Sequence, residues 1–374
     1  MVITDSSGSI IDLVNPKDAG DGIEAFTGII SPGFVNAHCH LELSHLKGRI
    51  SEKTGLVNFV QEVMSNRSTR DDQQLEAMIE AEAKMYQTGI VAVGDICNSS
   101  DSIPAKKHSK LFWHNFIEVS GFVGEAAHKR LAEMKTVSKQ FEKELPTHKT
   151  SLSPHAPYSV SKKLFHLLNE DTAGQLISIH NQECADEDIL YLHKAGGFLA
   201  LYKNFGIDIA SFELTGKSSF QSWLPYFDQQ QSIILVHNSF TSASDMEFLS
   251  QLSGRANTVF SLCICINANQ YIEQKNPPIQ MLMNSNCNMV IGTDSLASNQ
   301  QLNILEEIKA IQLSTIPIIP LPTLLQWATI NGAKALQLDH LVGSFEKGKT
   351  PGIVLIENLE QLQLTQQSTA RRIL

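Results

Sequence analysis

Eight short apolar runs alternate with stretches of helical periodicity along this chain, and that rhythm restricts its fold more than any other feature. The runs are Ile30–His38, Ile90–Ile96, Leu111–Val119, Thr150–Ser153, Leu176–His180, Ile233–His237, Thr258–Cys263 and Met289–Asp294. Between them, Gln74–Tyr86, Glu125–Phe141, Ala243–Leu252 and Leu302–Gln312 carry amphipathic patterns. Strands separated by helices predict parallel pairing, because a crossover helix returns the chain to the same end of the sheet. Eight such units predict an α/β architecture, a TIM-like (β/α)8 barrel over residues 29–340.

The 374 residues, 42% of them hydrophobic, suffice for such a barrel and a minor domain. Residues 2–30 alternate polar and apolar around Ser6-Ser-Gly-Ser and read as a β-hairpin. Residues 341–357 read as short strands again. The two chain ends, 1–28 and 341–374, are therefore expected to form a small, reduced β-sandwich domain. Residues 184–230 exceed an ordinary βα connection and predict a lid or extra helices over the barrel mouth.

A formal charge of −10 argues against non-specific binding of nucleic acid and of anionic membranes. The six cysteines form no Cys-x-x-Cys pair, which fits a reducing compartment, and Cys263-x-Cys265 lacks partner cysteines for a soft metal site. The first residues show no basic segment followed by an apolar core, and no run of eighteen apolar residues occurs. A cytoplasmic protein with a small-molecule substrate is expected, and a homodimer is allowed. Gly343-Ser-Phe-Glu-Lys-Gly348-Lys349-Thr350 spells a phosphate-loop pattern. That loop needs a strand before it and a helix after it, whereas here Pro351-Gly352 follows, so a β-turn is expected instead.

The first run ends Phe34-Val-Asn-Ala-His38-Cys-His40. On a strand, residues i and i+2 share a face, so His38 and His40 project together. Alone the pair means little. However, His180 closes Leu-Ile-Ser-Ile-His, His237 closes Ile-Ile-Leu-Val-His, and Asp294 closes Val-Ile-Gly-Thr-Asp. Parallel barrel strands end on one face, so these side chains are expected to converge on a metal site. Imidazole nitrogens with one carboxylate suit Zn²⁺ first and Fe²⁺ second. With a ligand position left open, such a metal lowers the pKa of bound water towards about 7 and supplies a hydroxide nucleophile. Glu183, three residues after His180, reads either as a proton shuttle over the metal or as a helix N-terminal acid.

These motifs resemble the amidohydrolase superfamily, in its single-metal deaminase and chlorohydrolase branch. The resemblance rests on Pro32-Gly-Phe-Val-Asn-Ala-His38-Cys-His40-Leu, Ser153-Pro-His155-Ala-Pro-Tyr, His180-Asn-Gln-Glu183, His237, Gly292-Thr-Asp294-Ser-Leu-Ala-Ser and the Gly343–Lys349 turn. It implies His38, His40, His180 and Asp294 as ligands of one divalent metal. It implies that Asp294 and His237 orient and deprotonate water, that Glu183 protonates a substrate ring nitrogen, and that His155 contacts substrate near a sugar. No lysine closes the fourth strand, which disfavours the two-metal, carbamylated-lysine relatives. Two departures stand out. Cys263-Ile-Cys-Ile-Asn267 replaces the usual Cys-Pro-x-Ser-Asn, predicting a more apolar pocket, and the part before His38 is short.

The His40-Leu-Glu42-Leu-Ser44 continuation, with Ser153–Tyr158, is similar to aminodeoxyfutalosine deaminases of menaquinone synthesis. Adenosine- and S-adenosylhomocysteine-type deaminases lie close behind. Glu42 is then expected to bind substrate or to form a loop salt bridge, with His155 and His237 as the other substrate contacts. The leading expectation is an aminohydrolase acting on a 6-aminopurine nucleoside derivative. Guanine deamination, triazine-type chlorohydrolysis and a non-catalytic metal-binding barrel are the alternatives.

Overall fold

The computed structural model describes residues 1–67, 71–252 and 258–374. Thirteen strands are present among them. Three precede the predicted first run or open it: β1 (Val2–Thr4), β2 (Ile10–Leu13) and β3 (Ile29–Pro32). Eight follow in regular alternation with helices. They are β4 (Phe34–Cys39), β5 (Ile90–Cys97), β6 (Phe112–Val119), β7 (Lys149–Pro154), β8 (Leu176–Asn181), β9 (Ser232–His237), β10 (Phe260–Ile264) and β11 (Asn288–Ile291). The last two are β12 (Ile353–Glu360) and β13 (Gln363–Arg372).

The eight alternating strands form two parallel four-stranded sheets, ordered β4-β5-β6-β7 and β8-β9-β10-β11. Every residue of β4, β5 and β8 is buried. That is the pattern of strands covered on both faces, and it is why they read as continuous apolar runs. The sheets meet at both edges. Thr293 N and Asp294 N donate to His38 O at 3.0 and 3.1 Å. At the other edge His180 N donates to His155 O at 3.0 Å, and Ser178 N to Ser153 Oγ at 3.1 Å. One apolar cluster gathers Val35, Ala92, Phe116, Ile234, Cys263 and Val290 from both sheets. A larger cluster packs helices such as Ala127–Glu144 and Ile304–Ser314 on the other strand faces.

The predicted run Ile30–His38 proves to be two strands in different sheets. Residues 29–32 pair antiparallel with β12, and only Phe34–Cys39 enters the parallel sheet. The change of sheet occurs at Gly33, whose N–H donates to Pro351 O at 3.0 Å. A Cβ there would lie 2.2 Å from Val91 Cγ1, so only glycine permits the close approach. The β1–β2 hairpin pairs with itself, while β12 takes β13 and β3 as neighbours. The hairpin touches the C-terminal part through Ile10, which exchanges 2.8 Å hydrogen bonds with Gly348 and Lys349. The phosphate-loop look-alike is a turn, as expected. Its Lys349 Nζ is occupied by Ser344 Oγ at 2.8 Å and Glu346 at 2.6 Å.

The stretch after Glu183 supplies the predicted extra helices, Ala185–His193, Gly197–Asn204 and Ser219–Trp223. Trp223 is fully buried and its Nε1 donates to Asn181 Oδ1 at 3.1 Å, pinning this segment to the end of β8. Among the described residues, no helix is long and apolar enough to cross a membrane.

Candidate metal centre and adjoining cavity

Four side chains converge where the two sheets meet. His38 lies in β4 and His40 just beyond it, at the start of a 3-10 turn over Leu41–Leu46. His180 lies in β8. Asp294 falls three residues past the end of β11, not within a strand as the run Met289–Asp294 suggested. Its backbone is left-handed at φ 57°, which turns the chain so that the carboxylate faces His38. Gly292 makes that turn feasible, since a Cβ there would sit 2.8 Å from both Cys263 Sγ and His38 Cβ.

The ligand atoms of His38, His40, His180 and Asp294 all lie within 4.8 Å of one another, and all four residues are buried. His40 Nε2 is 3.2 Å from Nε2 of both His38 and His180. Asp294 Oδ1 is 3.5 Å from His38 and 3.4 Å from His40. The Nδ1 of His180 donates to His155 O at 2.9 Å, which leaves its Nε2 as a lone pair aimed at the cluster. Burial holds His38 below, and His40 and His180 well below, the ordinary imidazole value. Burial pushes the Asp294 carboxyl up, but the surrounding histidines outweigh it and hold it well below the usual range. Neutral imidazole lone pairs and an ionised carboxylate crowded into a buried space repel one another unless a cation lies between them. A divalent metal of the zinc type fits that donor set.

Two further groups flank the cluster. His237 ends β9 with φ 73°, its Nδ1 is 2.8 Å from Asn269 Oδ1, and its Nε2 has no hydrogen-bond partner among the described residues. Glu183 Oε1 lies 3.5 Å from that Nε2. Burial raises the Glu183 carboxyl well above the ordinary value, which favours its protonated form. The turn carrying it is clamped by Glu187, whose oxygens accept from Gln182 N at 3.0 Å and Glu183 N at 2.8 Å. Glu183 also precedes the helix that starts at Ala185, so the helix-acid reading falls instead to Asp186, Glu187 and Asp188.

A cavity of about 810 Å³ opens from this centre. His40, His180, Glu183 and Asp294 line one side, and Phe59, Val63, Leu201, Tyr202 and Phe205 line another. His155 also faces it, with Nδ1 held by Ser159 Oγ at 2.6 Å. Glu42 lines it too, but its oxygens are already engaged. They accept from Asn98 N and Ser99 N at 3.1 Å, Ser99 Oγ at 3.2 Å and the Arg67 guanidinium at 3.2 Å. Burial, opposed by Arg67, pushes the Glu42 carboxyl up to about 7.

The expected apolar change at Cys263–Asn267 does not reach the cavity. Ile264 and Ile266 join the helix-facing core, while Cys263 and Cys265 pack in the inner cluster. Asn267 instead binds the buried Glu307 carboxylate through its N–H at 3.2 Å and its Nδ2 at 2.8 Å. Sequence reading missed Asn269, Arg67 and Glu118, and gave no role to Ser298, whose hydroxyl donates to Asp294 Oδ2. Glu118 alone carried part of the signal used for the others, a polar residue one short of the end of an apolar run, Leu111–Val119.

A parallel α/β fold with three histidines and an aspartate gathered at its strand ends defines a metal-binding enzyme of the hydrolase class. The chain belongs to the amidohydrolase family, whose sequence model matches residues 29–371. It is 27% identical over 332 residues to an adenosine deaminase of Helicobacter pylori, covering 86% of this chain and 77% of that protein. Among solved structures it is similar to Helicobacter pylori aminofutalosine deaminase in complex with methylthio-coformycin. The TM-score is 0.80 at 24% identity, covering 97% of this chain and 88% of the other. An adenosine deaminase from Xanthomonas campestris with bound zinc superimposes with a TM-score of 0.71 at 20% identity, covering 94% and 78%.

Proposed function

We propose that this chain is a metal-dependent aminohydrolase that deaminates a 6-aminopurine nucleoside derivative. The observation that carries this reading is the buried Glu183 carboxyl 3.5 Å from His237 Nε2, which has no hydrogen-bond partner among the described residues, next to the four-residue cluster. A structural metal site needs no such proton carriers. His38, His40, His180 and Asp294 would hold one divalent ion, zinc by the chemistry of the donors. When bound, that ion supplies a Lewis acid that makes water nucleophilic at neutral pH.

The protein's own groups account for the proton traffic. Glu183 donates its proton to the ring nitrogen beside the amino-bearing carbon. The Nε2 of His237 accepts a hydrogen bond from the attacking water, and Asp294, steadied by Ser298, takes its proton. Water adds to the amino-bearing carbon, the proton taken by Asp294 passes to the amino group, which leaves as ammonia, and the new hydroxyl returns a proton to Glu183 as the 6-oxopurine forms. His155 meets the sugar, and Glu42 acts through Arg67 and the 98–99 backbone that it holds at the cavity wall.

Aminodeoxyfutalosine is the substrate we favour, on the His40–Ser44 motif and on the likeness to the aminofutalosine deaminase. We take the two parallel sheets as one closed barrel, with residues 1–28 and 341–374 as its small β-domain. We place the protein in the cytoplasm, on its free cysteines. The test is a deamination screen of aminodeoxyfutalosine, S-adenosylhomocysteine, adenosine and guanine, followed by ultraviolet absorbance. Turnover of an adenine nucleoside in preference to guanine is expected. Turnover of guanine alone, or of none of these, rejects the reading.

A further inference from the structure

Glu307, in the helix Ile304–Ser314, is fully buried, yet it forms no ion pair with a cationic side chain among the described residues. Three N–H groups surround its carboxylate instead. Oε1 accepts from Asn267 Nδ2 and from Asn299 Nδ2, each at 2.8 Å, and Oε2 accepts from Asn267 N at 3.2 Å. All three partners are donors, so they fit the ionised form. Burial pushes the carboxyl up to about 7, and the bonds from Asn267 and Asn299 oppose that push. A buried charge without a counter-charge costs stability, so a carboxylate is a poor filler for a site that serves packing alone.

The donors lead to the two groups that act on the attacking water. Asn267 lies in the first turn of the helix Ile266–Glu273, and two residues on, Asn269 Oδ1 holds His237 Nδ1 at 2.8 Å. The Asn299 Nδ2 that reaches Glu307 also donates to Thr293 O at 2.9 Å, and so fixes the peptide that leads into Asp294. Asp294 needs that support, because its backbone is left-handed at φ 57°. A single oxygen, Glu307 Oε1, joins both branches.

We infer that Glu307 is a positioning residue for the hydrolytic step, which sets how His237 and Asp294 are aimed at the same water. This rests on the aminohydrolase reading above and goes beyond it, since Glu307 does not line the cavity. Two groups that must meet one water tolerate little displacement. A shift of about 1 Å costs up to about 100-fold in rate.

The experiment measures kcat and KM of the metal-loaded protein on its best adenine nucleoside, together with metal content. Glu307→Gln keeps the shape of the side chain but turns an N–H towards one of the donors. Asn267→Ala removes one of the three bonds and leaves the carboxylate in place. In Glu307→Gln kcat should fall about tenfold to 100-fold, with KM within about twofold and metal content unchanged. In Asn267→Ala the fall should be about threefold to tenfold. A double-mutant cycle with Asn269→Leu separates positioning from general support of the fold. Asn269→Leu already frees His237, so adding Glu307→Gln to it should lower kcat by less than Glu307→Gln does alone. Effects that multiply in the cycle overturn the inference. So does a kcat within about twofold of wild type in both single variants, or a loss confined to KM or to metal content. Each of these leaves the aminohydrolase reading intact. A wild type that deaminates no adenine nucleoside overturns both.

Discussion

The Nδ1–H of His237 donates to Asn269 Oδ1 across 2.8 Å, and that single bond decides which ring nitrogen faces the cavity. Asn269 is in turn oriented by its own Nδ2, which donates to Ser239 Oγ at 2.7 Å. With Nδ1 tied down, Nε2 keeps its lone pair towards Glu183 and the metal cluster. Asn269→Leu removes the acceptor and frees the ring to adopt the other tautomer. Asn269 touches no reacting atom, so the expected signature is a fall in kcat of roughly tenfold to 100-fold with KM little changed. Asn269→Asp keeps an acceptor at the same place and should recover most of the loss. A variant in which KM rises while kcat holds would show that Asn269 shapes the substrate pocket instead.

Glu183→Gln keeps the shape and burial of the side chain but removes the transferable proton. The deamination rate should drop about 100-fold to 10,000-fold, while metal content and thermal midpoint stay at wild-type values. Burial raises the carboxyl above its ordinary value and so extends the pH range of the protonated form upward. Activity that depends on it is full below the raised value and is lost as pH rises through it. The wild-type rate should therefore show an alkaline limb assignable to Glu183, and the Gln variant should lack it. Full activity in Glu183→Gln would refute the assigned role.

His180→Ala opens the ligand set and also breaks the bond from Nδ1 to His155 O that links β8 to the residue after β7. Elemental analysis should find one ion per wild-type chain and a fraction of that in the variant, with activity lower by about 1,000-fold or more. A strong chelator should have the same effect on the wild type, and added zinc should reverse it. An ion bound only to the folded state adds to stability, so the chelated protein should melt earlier. Wild-type activity that survives complete metal removal would exclude a metal-dependent reaction.

Much of this centre was legible because the signal is local. His38, His40, His180, His237 and Asp294 each follow a short apolar run, and parallel strands bring such ends to one face. What the sequence concealed is tertiary. Asn269 meets His237 from another βα unit, and Arg67, 25 residues along the chain and just past the helix Leu56–Asn66, reaches Glu42. Neither carries a periodic marker. The break at Gly33 was hidden for the opposite reason. The apolar run continues unbroken through it while the chain changes sheets, and only the approach of Pro351 and Val91 distinguishes its two halves. Ile264 and Ile266 looked like pocket residues because the motif was read without its strand end: Ile264 closes the strand and Ile266 opens the helix Ile266–Glu273, and both pack in the helix-facing core.

Lys106 is fully buried, a rare position for an ammonium group. Its Nζ lies 2.5 Å from Asp95 Oδ2, 2.8 Å from Asn115 Oδ1 and 3.2 Å from Cys97 Sγ, with the Trp113 ring 4.9 Å away. Burial opposes its charge, but Asp95 and Cys97 outweigh burial and raise its pKa, so it stays protonated. The other oxygen of Asp95 accepts from Leu41 N at 2.8 Å, immediately after His40. The ion pair thereby anchors the turn that follows His40, one of the proposed metal ligands. Lys106→Met strands a buried carboxylate and should lower unfolding free energy by about 3–5 kcal/mol, measured by chemical denaturation. Adding Asp95→Asn removes the stranded charge while keeping an acceptor for Leu41, so the double variant should be more stable than the single. Metal content should follow the same order, because the Leu41 anchor loosens in the single variant and is regained in the double. A single variant within about 1 kcal/mol of wild type would mean that water or a shifted proton neutralises Asp95, and the anchor would then be the backbone rather than the charge pair.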